Sequence, residues 1–113
     1  MKRSMSIKEN RIFKRLYYRG KSFVTPQFVL YVNKARHSEI KVGITASKKT
    51  GSAVDRNRAK RVIRAAFDSV LDNIDKGYDF VIVARPKICE EKSTTVALSL
   101  KKQLKAAGVW REI

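Results

Sequence analysis

Apolar residues at spacings of three and four predict three amphipathic helices in this chain. In the first helix the apolar side comprises Ile12, Phe13, Leu16 and Tyr17. In the second it comprises Ala59, Val62, Ile63, Ala66, Phe67, Val70, Leu71 and Ile74. In the third it comprises Val96, Ala97, Leu100, Leu104 and Ala107. Because the remaining positions are polar, each helix should bury only one side.

Capping residues and glycines predict where two of these helices begin and end. Ser6 and Glu9 have the spacing of a capping box, and Gly20 can adopt the left-handed conformation that ends a helix. A serine and a threonine at residues 93–94 are the expected N-caps of the third helix, and Gly108 is its expected end.

Three apolar segments between the helices predict strands. Residues 28–32 are apolar on both faces, and residues 40–44 alternate with period two. Residues 80–84 form a third strong strand that ends before Pro86, and a short strand near residues 22–24 also fits. We expect the strands at 28–32 and 40–44 to form a hairpin. The strands at 40–44 and 80–84 flank the second helix, which predicts a parallel β-α-β unit.

The resulting order, α-β-β-α-β-α, is typical of a two-layer α+β sandwich. The chain has 113 residues and contains no repeat, low-complexity segment or interdomain linker. We therefore predict a single domain over residues 1–113, with a loose basic segment at residues 1–5.

The charge balance points to a polyanionic partner. Lys and Arg number 26 against 10 acidic residues, a formal net charge of +16. Self-repulsion at this density costs stability, so nucleic acid is the natural partner. No lipidation motif, basic terminal anchor or membrane-spanning apolar run favours a membrane. A single cysteine and no signal-peptide pattern indicate the cytoplasm.

The strongest candidate site is the stretch Asp-Arg-Asn-Arg-Ala-Lys-Arg-Val-Ile-Arg at residues 55–64. Its cations lie on the polar side of the second helix, near the positive end of the helix dipole, where an anion such as phosphate binds well. The ordinary alternative is a solvated helix face, which the single sign of the charges disfavours. The candidate RNA-binding residues are Arg56, Asn57, Arg58, Lys60, Arg61 and Arg64, with Lys48 and Lys49 just upstream.

Aromatic residues form a second candidate site. Phe13 and Tyr17 are four residues apart and share a helix face, and Tyr31 lies in the next strand. With cations interleaved, such rings suit the stacking of unpaired bases. The alternative is that they dock the first helix as ordinary core residues, and the sequence leaves both interpretations open.

No convincing catalyst is present in the sequence. Asp68, Asp72 and Asp75 are predicted to share one face of the second helix and could in principle hold Mg²⁺, but they are better explained as charges that offset the basic patch. His37 has no obvious partner, and no nucleophile–base pair is identifiable. We therefore predict no catalytic residue and no metal site on the protein.

The motif at residues 55–64 stands in a wider context that is specific to one family. It follows Val-Gly-Ile-Thr-Ala-Ser-Lys-Lys at residues 42–49 and Gly-Ser-Ala-Val at 51–54. Together with the strand segments at 27–31 and 81–85, these stretches resemble the protein subunits of bacterial ribonuclease P, whose signature is Arg-Asn-Arg. The resemblance spans nearly the whole chain.

The resemblance implies a subunit of a ribonucleoprotein endonuclease that removes the 5′ leader from precursor tRNA. It implies that the RNA subunit holds the catalytic Mg²⁺, that the protein alone is inactive, and that the partners are this RNA and precursor tRNA, with no small-molecule substrate. It further implies a left-handed β-α-β crossover, an exception to the right-handed rule.

Carried over by position, the resemblance also assigns roles to residues. The cations of residues 56–64 would face the RNA subunit, Phe13, Tyr17 and Tyr31 would line a cleft for the single-stranded leader, and residues 48–49 would form its basic rim. Two other functions stay open at this point. A ribosomal or ribosome-assembly protein also needs a small basic α+β domain, and a metal nuclease would use the face that carries Asp68.

Overall fold

The computed structural model describes residues 5–7 and 9–112. In chain order the helices and strands are α1 (Asn10–Arg19), β1 (Lys21–Val24), β2 (Phe28–Lys34), β3 (Ile40–Ala46), α2 (Ala53–Val70), β4 (Tyr78–Ala84) and α3 (Ser93–Ala106). Short 3₁₀ segments lie at Lys48–Thr50, Leu71–Asn73 and Pro86–Glu90. The predicted helices and strands are all present, and the optional short strand is β1.

The four strands form one mixed sheet in the order β1-β2-β4-β3. Strands β3 and β4 pair in parallel, which confirms the predicted β-α-β unit, and β2 pairs antiparallel with both β1 and β4. The predicted hairpin between β2 and β3 is therefore wrong. Strand β4 lies between β2 and β3 in the sheet. It is apolar on both faces, and helices cover both faces at this central position.

The strand β2 makes its hairpin with β1 instead. The turn between them is held by Thr25, whose hydroxyl oxygen accepts hydrogen bonds from the backbone N–H groups of Gln27 and Phe28, at 3.2 and 3.0 Å. Thr25 is buried, and its side chain replaces backbone partners that the turn cannot supply.

Helices cover both faces of the sheet, which confirms an α+β sandwich. On one face, α2 and α3 enclose the main core, which includes the fully buried rings of Phe28, Phe67 and Phe80. On the other face, α1 buries Leu16 against Val81 in a smaller cluster. The strand β1 extends the predicted order to α-β-β-β-α-β-α. The placement of α1 on the second face adds a layer to the predicted two.

Three of the predicted helix ends differ from the structure. Neither Ser93 nor Thr94 caps helix α3, which follows Lys92 at the N-cap position and has no side-chain cap. Helix α1 begins at Asn10 without a side-chain cap, because Ser6 lies in an isolated parallel bridge with Val42 rather than in a capping box. Gly20 is extended, with φ −71° and ψ 151°, and continues directly into β1. Gly108 has the predicted left-handed conformation after α3, with φ 76°.

Two further expectations concern the loose segment at residues 1–5 and the hand of the crossover. Residues 1–4 of the predicted loose segment lie outside them, whereas Met5 is half-buried and packs against the core. Strand order and direction do not define the hand of the β3-α2-β4 crossover, so the left-handed crossover stays a prediction. Within residues 5–7 and 9–112, no helix is long and apolar enough to cross a membrane.

Candidate nucleic-acid interface

Helix α2 begins in a capping box that stabilises its cationic start. The N–H of Asp55 donates to the Ser52 hydroxyl oxygen at 3.2 Å, and the N–H of Ser52 donates to the Asp55 carboxylate at 3.0 Å. Asp55 also places a negative charge in the first turn, which favours the helix dipole. The Ser-x-x-Asp spacing is visible in the sequence but did not enter the prediction. With this cap, the helix tolerates the cations that follow.

Most of the predicted RNA-binding residues of α2, three of its five cations and Asn57, point into solvent. Asn57, Arg58, Arg61 and Arg64 are exposed, as expected for the side opposite Ile63. The remaining two cations, Arg56 and Lys60, are half-buried because they flank the buried stripe rather than oppose it.

Arg56 contacts the backbone just before α2 as well as solvent. Its guanidinium donates to the carbonyl of Gly51 at 3.5 Å, across the first turn of α2. Lys48 and Lys49 are exposed in the short 3₁₀ segment that precedes this turn. We call the combined set the basic helix surface: Lys48, Lys49, Arg56, Asn57, Arg58, Lys60, Arg61 and Arg64.

The carboxylates that follow do not share one helical face. Helix α2 ends at Val70, so Asp68 lies on it, Asp72 lies in the next 3₁₀ segment and Asp75 lies beyond both. The predicted common face is therefore wrong for this trio. Across residues 5–7 and 9–112, no three His, Cys, Asp or Glu side chains are grouped so that they could hold a metal ion.

The three predicted aromatic residues come together between α1 and the sheet. The rings of Tyr17 and Tyr31 are edge to face, with centroids 5.0 Å apart and planes at 77°. Tyr17 keeps 43% of its surface exposed, whereas Phe13 and Tyr31 are half-buried against the small cluster around Leu16. We call this trio, Phe13, Tyr17 and Tyr31, the aromatic cleft. Its rings serve partly as core and partly as open surface.

A glycine in β3 allows Phe13 to approach the sheet. A Cβ at Gly43 would lie 2.5 Å from Cζ of the Phe13 ring, which is closer than any real contact. The absence of a side chain at Gly43 therefore allows the Phe13 ring of the aromatic cleft to lie directly against the backbone of β3.

Changing Gly43 to alanine should destabilise the protein by about 1–2 kcal/mol, because the added methyl group overpacks the site under Phe13. The free energy of unfolding in urea measures this loss. A double variant that also carries Phe13→Leu should lose less than the sum of the two single changes, since the shorter side chain relieves the overlap. Strict additivity would contradict the contact.

A histidine–aspartate pair lies near the same face, and the sequence did not predict it. Nε2 of His37 is 2.7 Å from the carboxylate of Asp79, which is buried in β4. Nδ1 of His37 accepts the backbone N–H of Glu39 at 3.1 Å. Because Nδ1 accepts a hydrogen bond, Nε2 carries the ring proton and donates a hydrogen bond to the Asp79 carboxylate. Both ring nitrogens are thus occupied, so His37 fixes the loop between β2 and β3.

The fold and its two surfaces define a class of small basic α+β proteins that present a cationic helix and an aromatic recess to nucleic acid. Comparison with known proteins identifies the family. The family model for ribonuclease P matches residues 1–108. The ribonuclease P protein component of Bacillus cereus strain 03BB102 is 41% identical over 112 residues, covering 98% of this chain and 97% of the relative.

Two solved structures agree with this match. A Staphylococcus aureus RNase P protein mutant, described as having defective mRNA degradation activity, has a TM-score of 0.84 and 34% identity, covering 95% of this chain and 91% of that one. The Thermotoga maritima RNase P protein has a TM-score of 0.79 and 30% identity, covering 89% and 96%. The chain belongs to the ribonuclease P protein family, the protein components of a tRNA-processing ribonucleoprotein. This confirms the resemblance and disfavours the ribosomal alternative.

Proposed function

We propose that the basic helix surface binds the ribonuclease P RNA, while the aromatic cleft holds the single-stranded 5′ leader of precursor tRNA. One observation carries this division of roles. Helices α1 and α2 pack on opposite faces of the sheet, so their surfaces are separated by the sheet itself. The protein can therefore contact two RNA segments at the same time.

The chemistry of each surface suits its assigned partner. Exposed arginines on α2 supply planar donor forks for phosphates, and Asn57 can hydrogen-bond a base edge or a 2′-hydroxyl. The exposed part of the Tyr17 ring can stack an unpaired base, which contributes about 1–3 kcal/mol per base. A folded RNA meets the first surface, and a single strand meets the second.

The protein's side chains position RNA in this proposal, and the RNA subunit supplies the catalytic Mg²⁺. The observed geometry supports this division, because both nitrogens of His37 are already hydrogen-bonded. The ring therefore has no free nitrogen with which to exchange a proton with substrate.

Purified protein freed of RNA should not cleave precursor tRNA, and adding ribonuclease P RNA in Mg²⁺ should restore removal of the leader. The measurement is product formation on a gel, with the RNA alone as a control. An mRNA substrate should be included, because the Staphylococcus aureus mutant is described by a defect in mRNA degradation activity. Cleavage of either substrate by RNA-free protein would overturn the proposed division of roles.

A further inference from the structure

Helix α1 has two flanks above its face of the sheet, and the aromatic residues lie along only one of them. Leu16 of α1 is buried against the sheet. Phe13 and Tyr17 lie on one flank of the helix beside it. Arg15 and Arg19 lie about 120–160° around the helix from the two rings, at about 100° per residue, and border the recess on the opposite flank.

The floor of this second recess is a polar row across three strands. Asn33 of β2, Asp79 of β4 and Lys41 of β3 are direct cross-strand partners. The neighbouring row, Tyr31 and Val81 with Gly43, lies two residues along each strand on the same face. The sheet surface therefore changes from apolar under α1 to polar beside it.

Cations form the two walls of the recess. Arg15 and Arg19 stand on the α1 side, and Lys34 and Arg36 stand on the side of the β2–β3 loop, which the His37–Asp79 hydrogen bond holds in place. The space they enclose is about 910 Å³. We call this recess the polar groove.

The charges of the polar groove are not balanced from within. Among residues 5–7 and 9–112, no carboxylate lies within 4.0 Å of the four wall cations. The two acidic residues that line the groove, Asp79 and Glu9, are engaged by His37 and Arg11 respectively. Four cations around one recess, none of them paired with a carboxylate of the described residues, indicate an external anion.

We propose that the polar groove binds the phosphodiester backbone of the single-stranded leader, as a second contact beside the aromatic cleft. This inference rests on the proposed function. Among the residues that line the groove, only His37 carries a ring, and this ring is held by Asp79, so the groove's contacts are to phosphates and, through Asn33, to a 2′-hydroxyl. Recognition here depends on charge and not on base sequence.

The position of the groove selects the leader over the catalytic RNA. The groove shares α1 as a wall with the aromatic cleft, whereas the basic helix surface lies beyond the opposite face of the sheet. A strand that leaves the aromatic cleft across α1 therefore meets these cations on the other flank of the same helix.

The test is the affinity of the reconstituted holoenzyme for precursor tRNA, with Arg15 and Arg19 both changed to glutamine. Two lost single-strand phosphate contacts should weaken binding about 25-fold at about 0.1 M salt and lower the salt slope by about 1.4. A precursor whose leader is trimmed to its last few nucleotides should bind the variant and the wild type equally.

A second variant and a charge-matched control isolate the groove. Changing Lys34 and Arg36 to glutamine removes the other wall and should reproduce the loss. Changing Lys87 and Lys102 removes the same charge from exposed positions outside the groove and should leave affinity unchanged. All variants should assemble normally with ribonuclease P RNA.

Three results would overturn the inference. They are an unchanged affinity for the long-leader precursor, an equal loss for the trimmed precursor, and a loss of assembly with the RNA subunit, which would place that RNA in the groove. Failure of the wild-type protein to assemble would contradict the proposed function itself, and this result is distinguishable because it precedes any comparison of variants.

Discussion

Replacing Arg58, Arg61 and Arg64 with alanine should weaken assembly with ribonuclease P RNA roughly 500-fold at about 0.1 M salt. The three guanidinium groups are exposed on the outer face of α2. With one phosphate neutralised by each, the salt dependence of log K should fall by about 0.9 per residue, or about 2.7 in all. Because alanine favours helix and these side chains support no core contact, α2 itself should persist.

Titrations of the RNA subunit at several salt concentrations measure both quantities. A triple variant at Lys21, Lys76 and Lys102 removes the same charge from exposed positions elsewhere and should leave the slope almost unchanged. Arg56 is kept in the main variant, because its hydrogen bond to Gly51 mixes binding with the stability of the first helical turn. If the slope does not change in the main variant, the outer face of α2 does not meet phosphate.

The sequence predicted most helices and strands correctly because their patterns are local. The stripe from Ala59 to Val70 and the apolar run of β4 each lie within one segment, and the structure confirms both. The strands that pair with β4 could not be predicted in the same way. Its pairing with β2 joins Phe28 to Ala84, and no local pattern carries information about such distant partners. The predicted hairpin of β2 with β3 failed for this reason.

The same distinction applies to the candidate sites. The exposure of Arg58, Arg61 and Arg64 follows from helical periodicity alone. The hydrogen bond between His37 and Asp79 joins residues 42 positions apart and depends on the register of β4. The polar groove combines side chains from α1, three strands and a loop, so only the assembled sheet shows that its cations surround one recess.

Changing Tyr17 to alanine should weaken binding of precursor tRNA by the holoenzyme about 5- to 150-fold, while binding of mature tRNA stays constant. The expected loss corresponds to about 1–3 kcal/mol for one stacked base. Tyr17 is the suitable position because it is the most open of the three rings, at 43% exposure. Phe13 is unsuitable, since it is seated on Gly43 and its removal would also damage the packing of α1.

A matched variant separates stacking from packing at this position. Tyr17→Phe keeps the ring that contacts Tyr31 at 5.0 Å and loses only the hydroxyl, so it should bind precursor tRNA nearly as the wild type does. Thermal unfolding of both variants shows whether α1 still docks on the sheet. Equal losses for precursor and mature tRNA, or a large loss of stability in Tyr17→Ala, would show that the ring serves the core. A loss confined to the precursor places the leader on the exposed part of the Tyr17 ring.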